Sequence, residues 1–159
     1  TTMLDGSWTA MNTSKTWYSL KDGNWNDPTV WTLDPAGLTP NNPGGYSPIT
    51  SPTAQYDNVV VLATKNVIVN VNSVTNLALN VQGTLDFGVT SGHSFTTISG
   101  NGRVRCAADN FPTGIATDFA TPSLGGGTVE YYGSSSYSLT CSSANTGRTC
   151  TDHAVVSGS

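Results

Sequence analysis

The stretch DNVVVLATKNVIVNVNSVTNLALNVQGTLDFG (57–88) decides the fold class. It breaks into short words of alternating apolar and polar residues: NVVVL (58–62), NVIVNV (66–71), NLALNV (76–81) and GTLDFG (83–88). Val67, Val69 and Val71 share one face, as do Leu77, Leu79 and Val81, and Leu85 and Phe87 repeat the alternation. A period of two is that of a half-buried β-strand. Asn, Ser and Gly punctuate the words, as tight turns require. SFTTI (94–98) and GRVRC (102–106) continue the series.

The words also recur at fixed spacing. Val59, Leu77 and Phe95 begin comparable strands at intervals of 18 and 18, and Val67, Leu85 and Val104 begin a second set at 18 and 19. Two interleaved series with one period predict successive coils of a solenoid, each strand stacking on its counterpart one coil later. An antiparallel sandwich would also give short strands roughly every 8–12 residues; the shared period and weak hairpin signals favour the solenoid. Asn66, Asn70, Asn72, Asn76 and Asn80 sit near strand ends, where they either bond between coils or serve as ordinary turn residues.

Upstream, residues 1–34 hold all four tryptophans, Trp8, Trp17, Trp25 and Trp31. Residues 35–56, PAGLTPNNPGGYSPITSPTAQY, form a long Pro/Gly-rich loop that either packs down as a cover or stays mobile. The expected organisation is therefore 1–56 as an N-terminal cap and loop, and 57–159 as solenoid coils. Downstream, 107–126 reads as an inserted loop before GGTVEYYGSSSYSL (126–139) resumes strand patterning. AVVSGS (154–159) stops inside a repeat, so continuation of the natural protein is expected. The N-terminal TTMLDGSW lacks the basic and apolar parts of a signal peptide and fits a start left after cleavage.

Composition narrows the class further. Thr, Ser and Asn make up 56 of 159 residues, Glu130 is the only glutamate, and there are three lysines. Scarce helix formers and abundant Thr, Val and Asn predict an all-β protein. Only 10% of residues are charged, with formal net charge -4, and the six basic residues are scattered. Nucleic acid and anionic membranes are not expected partners, since both need a positive patch. No apolar run approaches the roughly 20 residues that span a bilayer. Cys141 and Cys150 enclose SSANTGRT and read as a disulfide-closed loop or as two unrelated thiols; Cys106, in phase with Val104, reads as a buried thiol. A disulfide would place the chain in an oxidising compartment.

GNWNDPTVW (23–31), a proline-bearing loop, YDNVVVLATKNVIVNV (56–71) and LALNVQGTLDF (77–87) resemble the eight-glycine domain of extracellular proteins, with its W-x-D-P-x-x-W motif. They are also similar to N-terminal segments of large repeat-rich surface proteins exported by the bacterial type IX secretion system. GGTVEYYGSSSYSL followed by AVVSGS looks like the repeats of that second group. The resemblance implies a right-handed parallel β-helix in a long secreted protein of adhesin or gliding type. The chain departs from the eight-glycine pattern by lacking several glycines between Asp57 and Gly83, and it carries a cysteine-flanked loop in place of a short turn. None of these motifs is catalytic.

Candidate chemistry is sparse. His93 and His153 lie in turn-like text far apart, and Asp86 is expected to point to solvent between Leu85 and Phe87, which leaves Asp86 and Glu130 a poor glycosidase pair. Asp22, Asn24, Asn26 and Asp27 have the alternate spacing of a calcium loop, but Asp27 replaces its glycine and Leu33 its closing carboxylate; the other reading is a hydrogen-bonded turn. No other metal and no cofactor is expected. Trp8, Trp17 and Tyr132 are candidate sugar-stacking residues, while Trp25 and Trp31 are expected in the core. The expectation is a non-catalytic structural or adhesive module of a secreted cell-surface protein, with glycans, other surface proteins or copies of itself as partners. The alternative is a carbohydrate-binding module attached to an extracellular enzyme.

Overall fold

The computed structural model describes residues 14–51, 53–116, 119, 126–133 and 153–155, the last three by backbone alone. The alternating words become short strands: β1 (Thr16–Ser19), β2 (Gly23–Asn24), β3 (Trp31–Thr32), β4 (Asn58–Val61), β5 (Asn66–Ile68) and β6 (Thr75–Val81). They continue as β7 (Thr84–Asp86), β8 (Ser94–Ser99), β9 (Arg103–Cys106), β10 (Thr113–Ile115), β11 (Thr128–Tyr131) and β12 (His153–Val155). Two single 3₁₀ turns, Pro28–Val30 and Ala54–Tyr56, interrupt the strands, and Phe119 is helical.

The strands form two sheets, ordered β10-β8-β6-β4-β1-β3 and β12-β11-β9-β7-β5-β2. From β4 to β11 the chain alternates between them, and from β6 on each strand lies parallel to the strand two earlier. Among the described residues the one antiparallel pair is β1 with β3. Valine-rich words suit this arrangement because β-branched side chains pack well on a pleated surface. Their inward halves make one interior that runs from Trp17 through Val59, Leu79 and Ile98 in the first sheet to Val67, Leu85, Val104 and Val129 in the second.

The second series of partners stands in the structure as spaced: Val67 faces Leu85, and Leu85 faces Val104. The first needs correction. Val59 pairs with Leu79, not Leu77, and Phe95 pairs with Asn76. The cause is a phase slip shared by neighbours: Asn76 and Leu79 in β6, and Phe95 and Ile98 in β8, are all buried though three positions apart. A strand in strict alternation would send one of each pair outward. The expected loop 107–126 is also corrected, because it contains β10, a three-residue strand without apolar alternation.

The N-terminal tryptophans close the interior. Trp25 and Trp31 are 0% and 1% exposed and meet edge to face at 5.0 Å, with Trp31 Nε1 donating to Trp25 O at 2.8 Å. Such a pair contributes about 0.5–1.5 kcal/mol beyond its buried area. The Pro/Gly-rich loop packs down as a cover. Ser47 and Ser51 are buried, and Asn76 Nδ2 donates to Pro48 O and Ala54 O. At the turns, backbones approach so closely that a Cβ on Gly83 would lie 2.3 Å from Lys65 O, and one on Gly102 2.2 Å from Gly83 O.

Candidate functional site

In a parallel sheet, equivalent outward positions fall into columns one strand apart. The second sheet builds such a column from Asn24, Ile68, Asp86, Arg105, Glu130 and Ala154. Three of its members alternate in charge. Arg105 Nη1 bonds Asp86 Oδ2 at 2.9 Å on one side, and Arg105 Nε and Nη2 reach Glu130 Oε2 and Oε1 at 3.2 and 3.3 Å on the other. Tyr132 lies across the guanidinium, with Arg105 Cζ 4.2 Å from its ring centroid, and donates its hydroxyl to Asp86 Oδ1 at 2.8 Å. Gly88 N donates to the same oxygen at 2.8 Å.

The expectation that Asp86 is solvated is thus corrected: it is 8% exposed. It does point away from the interior, but Arg105 and Tyr132 fold over it. Burial opposes the charge on Arg105, yet Glu130 and Asp86 outweigh it and hold the guanidinium pKa above its ordinary value. Tyr132 is pushed up to about 12, first by burial and then by its bond to Asp86. Both carboxylates have their oxygens occupied by these partners, an arrangement that fixes strand register.

Trp17, a candidate for sugar stacking, is 1% exposed, and its indole N–H is given to Asp57 at 2.8 Å. It offers no face to a ligand. Tyr132 is half-buried, one side of its ring taken by Arg105. Trp8 lies outside the described residues, as do Cys141 and Cys150. Cys106 is fully buried.

Three of the four calcium candidates accept hydrogen bonds through their side chains. Asp22 Oδ1 accepts from Asn66 N, Asp27 Oδ1 from both Thr29 N and Thr29 Oγ1, and Asn26 Oδ1 from Asn70 Nδ2. Asn24 is an exposed residue of β2. The Asp27 bonds are local to the turn, while those of Asp22 and Asn26 reach residues 44 positions away; the Thr29 bonds hold the Asp27 pKa below its usual value. No group of three or more His, Cys, Asp or Glu that could hold a metal occurs among the described residues. The asparagines divide: Asn70 and Asn72 bond across strands, to Asn26 and Ser91, while Asn76 holds the covering loop.

His93 is 3% exposed. Its Nδ1 accepts the Val74 N–H at 3.3 Å, so the ring proton resides on Nε2, 3.1 Å from Thr90 Oγ1. Burial holds its pKa below the usual imidazole value, with the bond at Thr90 opposing. His153 sits in β12, paired with Val129.

A second feature flanks the charged column. A solvent-open groove of about 540 Å³ is lined by residues 64–66, 82–84 and 101–103 and by Thr128. Its lining includes Lys65 and Arg103 and no acidic side chain. Sequence reasoning passed over Lys65, Arg103, Arg105 and Asp57. The R-V-R-C alternation did mark both arginines as facing out from buried Val104 and Cys106. Scattered in sequence, these cations meet only once strand register is known.

No protein-family model, no curated protein and no solved structure matches this chain. No helix among the described residues is long and apolar enough to cross a membrane.

Proposed function

We propose that the chain is a non-catalytic structural and adhesive module of a secreted cell-surface protein, built as a right-handed parallel β-solenoid with a Trp-rich cap. The observation that carries this reading is continuity of register. Val67, Leu85, Val104 and Val129 are Cα partners through four consecutive strands of one sheet, and Trp17, Val59, Leu79 and Ile98 through four of the other. Parallel strands stacked this way share tension among many backbone hydrogen bonds, and the Asp86–Arg105–Glu130 ladder ties three strands laterally. Secretion and surface attachment rest on the motif resemblance of 23–31, 56–71 and 126–139, with export by the type IX route as its specific form.

Single-molecule pulling on the two ends of the strand stack tests the reading. A solenoid releases one coil of about 19 residues at a time, giving steps of about 65 Å. One all-or-none release at low force would sink the mechanical role. Beads coated with the chain should also be retained under flow on a surface bearing the ligand; detachment as fast as bare beads would remove the adhesive role.

A further inference from the structure

The groove beside the second sheet has the features of a site for an extended ligand. Asn66, Thr84, Arg103 and Thr128 are Cα partners in β5, β7, β9 and β11, so a row of amide, hydroxyl and guanidinium groups runs across four strands. Lys65, Gln82 and Asn101 supply further polar groups from the turns before them. Lys65 forms no ion pair with any described residue. Arg103 gives only Nη1 to Glu130, at 3.2 Å, and its side chain stays 57% exposed. Of the neighbouring carboxylates, Asp22 accepts from Asn66 N at the edge of the groove, and Glu130 is taken largely by Arg105.

The make-up of the lining distinguishes ligand classes. Lys65 precedes Asn66, and Asn66 and Arg103 stand two strand steps apart, about 10 Å between backbones at the usual separation of strands. A single phosphate or carboxylate held by the two cations would leave the neutral row of Asn66, Gln82, Thr84 and Thr128 unused. A chain with repeating negative charges can engage both cations while the amides and hydroxyls of that row meet its sugar hydroxyls. Two cations in a protein of net charge -4 are too few to hold a nucleic acid backbone.

We propose that this groove binds a linear anionic glycan, its charges received by Lys65 and Arg103. The proposal gives the adhesive half of the function a ligand class; the mechanical half is read separately by pulling, so either can fail alone. The test is fluorescence anisotropy with two labelled probes, an oligogalacturonate hexamer and a heparin-derived hexasaccharide, which distinguish carboxylate from sulfate. Maltohexaose and a short oligothymidine are the controls. One or both anionic sugars should bind, weakening with salt. Lys65→Gln and Arg103→Gln should each weaken binding about tenfold, or about 1.4 kcal/mol, with Lys21→Gln unchanged. Because the Arg103 side chain is exposed and Glu130 keeps Arg105, Arg103→Gln should leave the melting temperature nearly unaltered, which separates lost binding from lost fold. Equal binding of maltohexaose or oligothymidine, undiminished binding by both variants, or no binding of either anionic sugar would overturn the proposal.

Discussion

Trp17 donates its indole N–H to Asp57 at 2.8 Å, joining β1 to the residue just before β4. Asp57 is 0% exposed and also accepts from Lys15 N at 2.9 Å and Thr53 Oγ1 at 3.0 Å. Three donors converge on one buried carboxylate. Asp57→Ala strands all three, at a cost of about 3 kcal/mol in urea unfolding. Asp57→Asn retains an acceptor and should lose less; equal losses would show that shape, not hydrogen bonding, matters there.

Arg105 serves two carboxylates, so its removal should exceed the sum of simple contacts. Arg105→Leu leaves Asp86 without an ion-pair partner and Glu130 with Arg103 alone, for an expected loss of about 2–4 kcal/mol. A double-mutant cycle with Asp86→Asn should return a coupling of about 1 kcal/mol or more. Arg103→Ala, at the exposed end of the same network, should cost under about 1 kcal/mol.

His93 makes stability depend on pH from the acid side. Its folded pKa lies below the unfolded 6.5, so the unfolded chain binds more protons just below that value. Stability should be constant above about pH 7 and fall as pH drops through 6.5 toward the folded pKa. Protonation would also set a ring N–H against the Val74 N–H. Urea midpoints between pH 5 and 8 for wild type and His93→Gln check this; the variant should lose the slope in that window.

Asp34 gives a second, lower titration. Bonds from Thr39 Oγ1 and from the amides of Ala36, Thr39 and Leu38 hold its pKa at about 2. The turn should be intact above about pH 4 and loosen as pH falls through about 2. Hydrogen exchange at Ala36, Leu38 and Thr39 should accelerate in that range, and already at neutral pH in Asp34→Ala.

Thr64 occupies the third position of the Leu62–Lys65 turn at φ 68, a left-handed seat where β-branched residues are strained. Thr64→Gly should relieve about 1–2 kcal/mol of strain and lose about 0.5–1 to chain entropy. A net gain of about 0.5–1 kcal/mol is expected by urea denaturation.

The second sheet was legible in sequence because Val67, Leu85 and Val104 head strands with one buried phase, so spacing and pairing coincide. The first sheet was not fully so. Asn76 is polar yet 2% exposed, held inward by loop carbonyls of Pro48 and Ala54 that no local pattern announces. The same limit hid the charged column and the groove. Asp86, Arg105 and Glu130 are 19 and 25 positions apart, and nothing local in their words indicates that they touch. Trp17 illustrates the reverse error: large aromatics can stack on sugars, but an acid 40 positions downstream drew this one inside.

Alternation between two sheets also bears on how the molecule assembles. From β6 to β9 each strand finds its partner 18–20 positions back along the chain, so pairing can spread by short-range zipping. The links from Trp17 to Val59 and from Gly23 to Val67 span 42 and 44 positions and make one long closure. Relative to a 20-residue loop its extra entropic cost is only about 0.7 kcal/mol. The aromatic lid can therefore dock late onto a stack already formed, and lengthening that stack would add stability with little penalty in folding rate.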